Sequence, residues 1–369
     1  MQCNNSPVSA KYIIVNVCKI TPHQATNEIY AAIPAANDIT IIAYDGTDFY
    51  KHTETGANFE NGKYYIVNIG SLTKTTVAVD LSTLTADTKI SDGSIVTGKL
   101  GGKYKITIAP DATVTLNGVT IEGENNSDYK WAGITCEGNA TIILEGENTV
   151  TGFYDSYPGI FIPQGSTLTI DGDDDGSLNA SSNGDGAGIG CGYGLQCGNI
   201  VINNGTVNAT GIAGIGGEWC GNITINGGTI TASGNGYGAG IGAGACNWSG
   251  GCDNITITGG IITATGGFSG TGIGGCCDGS CGNITITGGT ITATGNGFCP
   301  GIGNGCEDHF SSSCGDITIT SGVTQLTVTK GENSPNNIGA GDGGTCGKVT
   351  VFGKEGAIAE SPYIYPSQN

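Results

Sequence analysis

One thirteen-residue segment recurs along the chain almost unchanged. It reads NITINGGTITASG from Asn222 to Gly234, NITITGGIITATG from Asn254 to Gly266 and NITITGGTITATG from Asn283 to Gly295. A looser copy runs from Asn199 to Gly211, and another copy starts at Asp316. Successive copies start 23, 32, 29 and 33 residues apart. A constant core with unequal spacing is typical of stacked structural repeats that are joined by loops of variable length.

Within one copy the apolar residues follow a period of two. Ile223 and Ile225 flank Thr224, a Gly-Gly pair follows, and Ile230 and Ala232 then alternate with hydroxyl residues. This pattern predicts two short strands separated by a turn. A third apolar anchor is the Ile of a recurring Gly-Ile pair, found at Ile134, Ile160, Ile189, Ile215, Ile241, Ile273 and Ile302.

Three anchors per unit predict a coil with three sides. Stacked coils would place Ile200, Ile223, Ile255, Ile284 and Ile317 in one inward file. A second inward file would hold Val207, Ile230, Ile262 and Ile291. We therefore expect an all-β fold, a right-handed parallel β-helix of about nine coils between about Thr88 and Gly353. An antiparallel sandwich is the alternative.

The N-terminal part of the chain lacks the repeat. Apolar runs such as Lys11 to Ile20, Asp38 to Gly46 and Lys63 to Leu72 favour antiparallel strands there. We predict a small β-sandwich-like domain over residues 1–85, followed by the parallel β-helix and a C-terminal cap over residues 86–369.

Composition restricts the partners of this chain. It has 32 acidic residues and 13 basic residues, every basic residue is Lys, and none lies between Trp131 and Thr329. Nucleic acid is therefore an unsuitable partner, and the absence of a long apolar run argues against a membrane-spanning segment. Fifteen Cys residues favour an oxidising, extracellular or cell-surface location. Because Met1 to Ser6 lack the apolar stretch of a signal peptide, we expect a removed targeting segment or another export route.

The GAGIG segment from Gly186 to Gly190 and the repeated GNITINGGTITASG motif carry a family resemblance. In these residues the chain resembles β-helix surface proteins of gut Bacteroidales, in which a fimbrillin-like domain precedes Gly-rich repeats. It is also similar to carbohydrate-binding β-helix proteins of pectate-lyase-like architecture. The resemblance covers about two thirds of the chain, and it implies the fold more directly than the function.

Such a solenoid could carry a lyase site, a hydrolase site or a calcium site. A polysaccharide lyase needs a basic residue on the coil face, and the repeats offer only His309. A hydrolase needs convergent carboxylates such as Glu145 and Glu147 with the acidic loop near Asp171, although solvated turn acids explain these as well. In that loop the D-x-D-x-D spacing of Asp171, Asp173 and Asp175 is typical of a calcium site, so calcium is the one candidate cofactor.

The cysteines follow the repeat. Cys197, Cys220, Cys252, Cys281, Cys314 and Cys346 share one phase, and Cys191, Cys246, Cys276 and Cys306 lie five to eight residues upstream of members of that file. We expect disulfides that close the variable loops, because side chains stacked in one file point in nearly parallel directions. A ladder of buried thiols is the alternative.

Hydroxyl and aromatic side chains supply the candidate binding surface. Thr231, Thr263 and Thr292 belong to Thr-x-Thr files, and aromatic residues lie in the loops, among them Trp219, Tyr237, Trp248 and Phe268. We predict from these seven residues a noncatalytic, exported or cell-surface protein that binds a polysaccharide or cell-surface glycan, or mediates adhesion. A polysaccharide-degrading enzyme and an ice-binding protein are the alternatives.

Overall fold

The computed structural model describes residues 78–172, 175–244, 250–276, 279–305 and 312–366, together with the backbone of seven strands within residues 2–74. The chain divides into two compact units, residues 1–78 with 91–95, and residues 79–90 with 96–369. The first unit contains an antiparallel sheet with the strand order Cys18–Ile20, Tyr12–Val15, Ile39–Tyr44, Phe49–Glu54 and Thr73–Lys74. It also contains a parallel pair, Gln2–Cys3 with Asn68–Ile69. The β-sandwich over residues 1–85 stays a prediction.

The second unit is a parallel β-solenoid whose coil has three sides. Sheet 1 contains the Gly-Ile anchors and has ten parallel strands. These strands are Thr88–Ile90, Ile106–Ile108, Ile134–Cys136, Ile160–Phe161, Ile189–Gly190, Ile215–Gly217, Ile241–Ala243, Ile273–Gly274, Ile302–Asn304 and Ile338–Ala340.

Sheet 2 contains the first strand of each repeat. After the first half of Ala112–Ile121, its strands are Ala140–Glu145, Thr167–Gly172, Asn199–Ile202, Ile223–Ile225, Ile255–Ile257, Ile284–Ile286, Ile317–Ile319 and Val349–Val351.

Sheet 3 contains the second strand of each repeat. After the second half of Ala112–Ile121, its strands are Glu147–Thr151, Ser177–Ser181, Thr206–Gly211, Thr229–Gly234, Ile261–Thr265, Gly289–Thr294 and Val323–Thr329. A Gly with positive φ turns the chain from sheet 2 into sheet 3, as at Gly228, whose φ is 85°.

A fourth, narrow sheet stands between sheets 1 and 2. Its strands are Trp219–Cys220, Gly251–Cys252, Ser280–Cys281, Ser312–Cys314 and Gly344–Cys346. The shorter elements of the chain are Ala78–Asp80, the 3-10 turn Leu81–Thr83, and the strands Ile95–Lys99, Lys354–Glu355 and Tyr363–Tyr365.

The core between the sheets consists of the predicted files. Ile223 lies opposite Ile255, and Ile255 opposite Ile284, with every member of that file fully buried. Ile230 lies opposite Ile262 in the second file. Each such side chain contributes about 1.5–3 kcal/mol through burial. These registers confirm the parallel solenoid and contradict the antiparallel sandwich.

The solenoid has about eight turns, in agreement with the predicted parallel β-helix. At its C-terminal end the last turn does not close. After Val349–Val351 the chain reverses, and Lys354–Glu355 pairs with that strand in antiparallel orientation. Tyr363–Tyr365 then pairs antiparallel with Val323–Thr329, and the rings of Phe352 and Tyr365 lie 4.0 Å apart. Tyr363–Tyr365 takes the place of a further sheet 3 strand, and Lys354–Glu355 covers the edge of sheet 2.

Amide side chains stack outside the core as well. The Oδ1 atom of Asn199 accepts a hydrogen bond from the backbone N–H of Asn222, and the same bond repeats between Asn222 and Asn254 and between Asn254 and Asn283. Each bond ties the start of a sheet 2 strand to the turn below it. Among the described residues, no helix is long and apolar enough to cross a membrane.

Candidate functional site

The outer face of sheet 3 carries three parallel files of small polar side chains. Because Ile230 and Ala232 point inward and are buried, the alternating residues Thr229, Thr231 and Ser233 point outward. Thr231 lies opposite Thr263 in the next turn, and Thr263 lies opposite Thr292. The predicted Thr file is therefore one continuous column, with a spacing of about 4.8 Å between strands.

Apolar and amide side chains also lie on this face of sheet 3. Ile261 lies between Thr229 and Thr290 in the neighbouring file, and 56% of its surface is exposed. Asn208 lies opposite Thr231, and its Nδ2 atom donates to Oδ1 of Asn179 at 2.9 Å. The face thus offers hydroxyl and amide groups around one exposed aliphatic side chain.

A shallow hollow of about 280 Å³ lies at the start of these strands. Asn204, Gly205, Thr206, Gly228 and Thr229 line it. Two of these residues, Thr206 and Thr229, belong to the outward file that contains Ile261. The hollow is therefore continuous with the polar face of sheet 3.

The opposite end of the same strands leads into loops with exposed rings. We call the loops 235–240, 266–272 and 295–301 the aromatic corner, since they carry Tyr237, Phe268 and Phe298. The ring centroids of Tyr237 and Phe268 lie 6.1 Å apart with the ring planes at 88°. Tyr237 is 46% exposed and Phe268 is 73% exposed, whereas Phe298 is partly buried. Exposed rings on adjacent turns are typical of a binding surface.

Backbone hydrogen bonds hold these loops in register. The N–H of Gly267 donates to the carbonyl of Gly238 at 2.9 Å, and the N–H of Asn296 donates to the carbonyl of Gly270 at 3.0 Å. A Cβ atom on Gly270 would lie only 1.9 Å from the carbonyl oxygen of Gly238. Glycine at this position therefore permits the close approach that places one ring above the other.

The other predicted aromatic residues lie elsewhere. Trp219 is 41% exposed, but it immediately precedes Cys220 in the narrow sheet, at the opposite end of the sheet 1 strands from the aromatic corner. Trp248 lies outside the described residues. Trp131 packs against Tyr129 and Phe153, with centroid distances of 5.3 and 5.7 Å. The structure therefore groups Tyr237 and Phe268 and leaves Trp219 apart from them.

Two carboxylates, of Asp155 and Asp185, lie at the same edge of the solenoid as the aromatic corner, in earlier turns. Asp185 lies four residues before the Ile189 anchor, as Tyr237 lies four residues before Ile241. Partial burial, and after it the negative charge of Asp155 in the preceding turn, raise the pKa of Asp185. Since the registers place Asp185 two turns from Tyr237, about 10 Å away, the corner has a negative potential beside its rings.

The predicted calcium loop is only partly described. Asp173 lies outside the described residues, and Asp175 is exposed. Asp171 accepts a hydrogen bond from its neighbour Gly172 at 2.9 Å and one from Nδ2 of Asn203 at 3.4 Å. Within the described part of the chain, no group of three or more His, Cys, Asp or Glu residues is arranged to hold a metal ion. Calcium binding at Asp171, Asp173 and Asp175 stays a prediction.

The six cysteines predicted to share one phase form a continuous column, which we call the cysteine file. Cys220 lies opposite Cys252, Cys252 opposite Cys281, Cys281 opposite Cys314 and Cys314 opposite Cys346. Cys197 precedes Cys220 in the same column, because the neighbouring residues Gln196 and Trp219 pair in parallel.

The prediction of loop-closing disulfides was wrong for the pairs that the structure describes. Cys191, Cys197 and Cys281 carry free thiols, so neither a Cys191–Cys197 ring nor a Cys276–Cys281 ring is present. Instead, Cys314 and Cys346 form a disulfide within the file, with a Cα separation of 4.6 Å. Parallel strands in register bring two Cα atoms within the range that a disulfide spans. Cys246 and Cys306 lie outside the described residues.

A further Thr column lies on sheet 2, and the sequence reasoning missed it. Thr224, Thr256, Thr285, Thr318 and Thr350 lie opposite one another in successive turns. The signal was present in the sequence, since each is the middle residue of an Ile-Thr-Ile or Val-Thr-Val strand.

One comparison with known proteins agrees with this architecture. The family model described as beta helix repeat matches residues 168–193, 200–221, 223–245, 255–279 and 284–306. The matched segments lie within the stacked parallel turns, so this part of the second unit is built from β-helix repeats. Neither the search of curated proteins nor the search of solved structures finds a match. The Bacteroidales origin and the fimbrillin-like character of the N-terminal part stay predictions.

Proposed function

We propose that this β-helix repeat protein is a noncatalytic carbohydrate-binding protein that acts outside the cell or at its surface. The observation that carries the proposal is the exposed pair of Tyr237 and Phe268, which lies on adjacent turns at the end of the Thr files of sheet 3. Aromatic faces pack against the C–H faces of sugars, and Thr hydroxyls both donate and accept hydrogen bonds. Both kinds of group are present on one continuous surface.

The dimensions of this surface favour an oligosaccharide over a single sugar. From Thr229 beside the hollow to Ser233 at the corner the strand advances roughly 13 Å, at about 3.3 Å per residue, and Tyr237 follows in the next loop. A chain of sugars lying along the strand would contact the hollow at one end and the rings at the other. Exposed Ile261, which lies opposite Thr229, offers an additional apolar contact beside the hollow.

The charge of the surface favours neutral or amino sugars over uronates. Asp155 and Asp185 lie on the same corner as the rings, and no Lys or Arg occurs between residues 131 and 329. A polyuronate would be repelled by these carboxylates. The same shortage of basic groups weighs against a lyase, which would need a base beside its acidic substrate.

The test is binding of the full chain to a glycan array and to insoluble polysaccharides. For the best oligosaccharide, titration calorimetry would compare the wild type with the Tyr237→Ala/Phe268→Ala double variant. We expect the double variant to bind roughly tenfold to hundredfold more weakly, since each stacked ring contributes on the order of 1 kcal/mol. Thr231→Val would test the hydroxyl column in the same assay.

Trp219→Ala is the matched control, because it removes an exposed ring of similar size at the other end of sheet 1. Unchanged binding of this variant supports the proposed surface. A loss of binding in Trp219→Ala, with the double variant unaffected, would move the site away from the aromatic corner. Release of reducing ends or of unsaturated uronide from the bound polysaccharide would show that the protein is an enzyme and would overturn the noncatalytic proposal.

Ice binding is the second candidate function, and the flat array of in-register Thr columns on sheets 2 and 3 favours it. Exposed Ile261 and Asn208 interrupt the array on sheet 3. Thermal hysteresis in the wild type that disappears in Thr256→Tyr would favour this function, and its absence would reject it.

A further inference from the structure

The cysteine file brings six sulfur atoms into one column along the coil. Each of its members belongs to a different turn, and neighbouring Cα atoms are paired in parallel register from Cys220 to Cys346. The spacing of paired parallel strands, about 4.8 Å, lies within the Cα range of about 4.4–6.8 Å for disulfides. One pair of the file, Cys314 and Cys346, is already bonded in this geometry.

The remaining four thiols, those of Cys197, Cys220, Cys252 and Cys281, follow one another from turn to turn, and neighbouring thiols shift one another's pKa. The Cys197 thiol also interacts with Cys191 and donates a hydrogen bond to the carbonyl of Gly216 at 3.7 Å. Each of the four side chains is buried, yet Cys220 and Cys252 retain 7% exposure and Cys281 retains 6%. These three thiols therefore lie just beneath the surface, whereas the interior Cys136 is 1% exposed.

We propose that the cysteine file is an oxidation site that accepts three disulfides, Cys197–Cys220, Cys252–Cys281 and Cys314–Cys346, each of which links adjacent turns. The number of members is even, so this pairing leaves no sulfur of the file unused. A pairing shifted by one turn would leave Cys197 and Cys346 unbonded. The bond already present at the C-terminal end selects the first pairing.

The oxidant is a low-molecular-weight disulfide such as oxidised glutathione. The Cys252 thiolate attacks one sulfur of the reagent, forms a mixed disulfide and releases one glutathione thiolate. The Cys281 thiolate then attacks the Cys252 sulfur, forms the protein disulfide and releases the second glutathione thiolate. The two protons lost by the cysteines are taken up by the two released thiolates, so two protein thiols are oxidised and one glutathione disulfide is reduced.

Mutual hydrogen bonding and burial set the rate of this exchange. The hydrogen bond to Cys197 raises the pKa of Cys220, and the hydrogen bond to Cys220 raises the pKa of Cys252. The thiolate is the attacking species, so we expect slow exchange at neutral pH and faster exchange as the pH rises.

The experiment uses the full wild-type chain, equilibrated in a mixture of oxidised and reduced glutathione, quenched with acid and alkylated. Digestion without reduction at Asp and Glu separates the partners within each pair, because Glu218 lies between Cys197 and Cys220 and Asp253 lies between Cys252 and Cys281. Since Cys220 and Cys252 remain on one peptide, a second digestion with chymotrypsin, which cleaves after Tyr237 and Tyr193, separates the first link from the second and Cys191 from Cys197. Mass spectrometry then identifies the linked peptides. We expect all three predicted links, and we expect Cys136 to be alkylated.

Two variants sharpen the assignment. Cys252→Ser should leave Cys281 alkylated and keep the other two links. Cys136→Ser removes a buried thiol outside the file and should keep all three links. Links between Cys191 and Cys197 or between Cys276 and Cys281 in the wild type would overturn the proposal. So would unoxidised Cys252 and Cys281 in protein whose Cys314–Cys346 bond is formed. The wild-type map decides the question even if a variant does not fold.

Discussion

The cysteine file and the aromatic corner lie at opposite ends of the sheet 1 strands, and they use the same stacking in different ways. In the cysteine file, two residues separate the Cys from the first inward Ile or Val of sheet 2, as between Cys220 and Ile223 and between Cys252 and Ile255. The spacing is constant in the aromatic corner as well, since seven residues separate Ser233 from Ile241, Thr265 from Ile273 and Thr294 from Ile302. The two regions differ in the residues that occupy these constant frames. The cysteine file places identical, buried residues in contact, whereas the loops of the aromatic corner carry different residues, with Tyr237 and Phe268 exposed to solvent.

This difference assigns separate roles to the two regions. In the cysteine file, the side chains from Cys197 to Cys314 are at most 7% exposed, and they connect the turns. Side chains of the aromatic corner, with Phe268 at 73% exposure, contribute little to connecting the turns and remain available for a ligand. Stability and binding should therefore respond to different substitutions.

The largest expected effect is on stability. Ile255 lies three residues after Cys252 and is fully buried between Ile223 and Ile284. Ile255→Ala should lower the free energy of unfolding by about 2–5 kcal/mol, because it leaves a cavity in the file. Phe268→Ala is the matched variant at the aromatic corner, and it should change the free energy of unfolding by less than about 0.5 kcal/mol. Urea denaturation followed by circular dichroism measures both, and equal effects would remove the distinction between the two regions.

A smaller effect is expected in the pH dependence of stability under reducing conditions. The folded state raises the pKa of Cys252, chiefly through the hydrogen bond to Cys220 and then through burial. Above about pH 8.5, where an unfolded Cys loses its proton, the folded protein still retains it. The free energy of unfolding should therefore fall as the pH rises, by up to about 1.4 kcal/mol per pH unit for each such thiol.

Cys252→Ala should make this decline shallower between about pH 8.5 and 10.5, and Phe268→Ala should leave it unchanged. Urea titrations of the three proteins in dithiothreitol, at several pH values, provide the comparison. If Cys252→Ala has the same slope as the wild type, the thiols of the file do not retain their protons in the folded state.

The inward files could be predicted from the sequence because their physical cause is local. Alternation in Ile223, Thr224 and Ile225 defines which side chain points inward, and near-identical copies place Ile255 and Ile284 above Ile223. A one-residue shift would turn every apolar side chain outward. Burial therefore fixes the register.

The pairing of the cysteines and the grouping of the rings could not be predicted in the same way. Whether two stacked Sγ atoms meet depends on small rotations between neighbouring strands, which the order of residues does not reveal. Tyr237 lies four residues before Ile241, whereas Phe268 lies five before Ile273, so the two rings hold no common sequence position. Backbone hydrogen bonds between the two loops, from the N–H of Gly267 to the carbonyl of Gly238 and from the N–H of Gly240 to the carbonyl of Thr271, hold the rings near each other.

The most direct test of stacked turns is a photo-cross-link from the aromatic corner. Replacing Phe268 by the photoreactive residue p-benzoylphenylalanine places the probe on one turn, and mass spectrometry identifies the peptide that it captures. The account predicts capture of the loop that contains Tyr237, whose ring lies 6.1 Å from that of Phe268. Capture confined to residues of the narrow sheet such as Trp219, or to the first unit of the chain, would contradict the stacked arrangement.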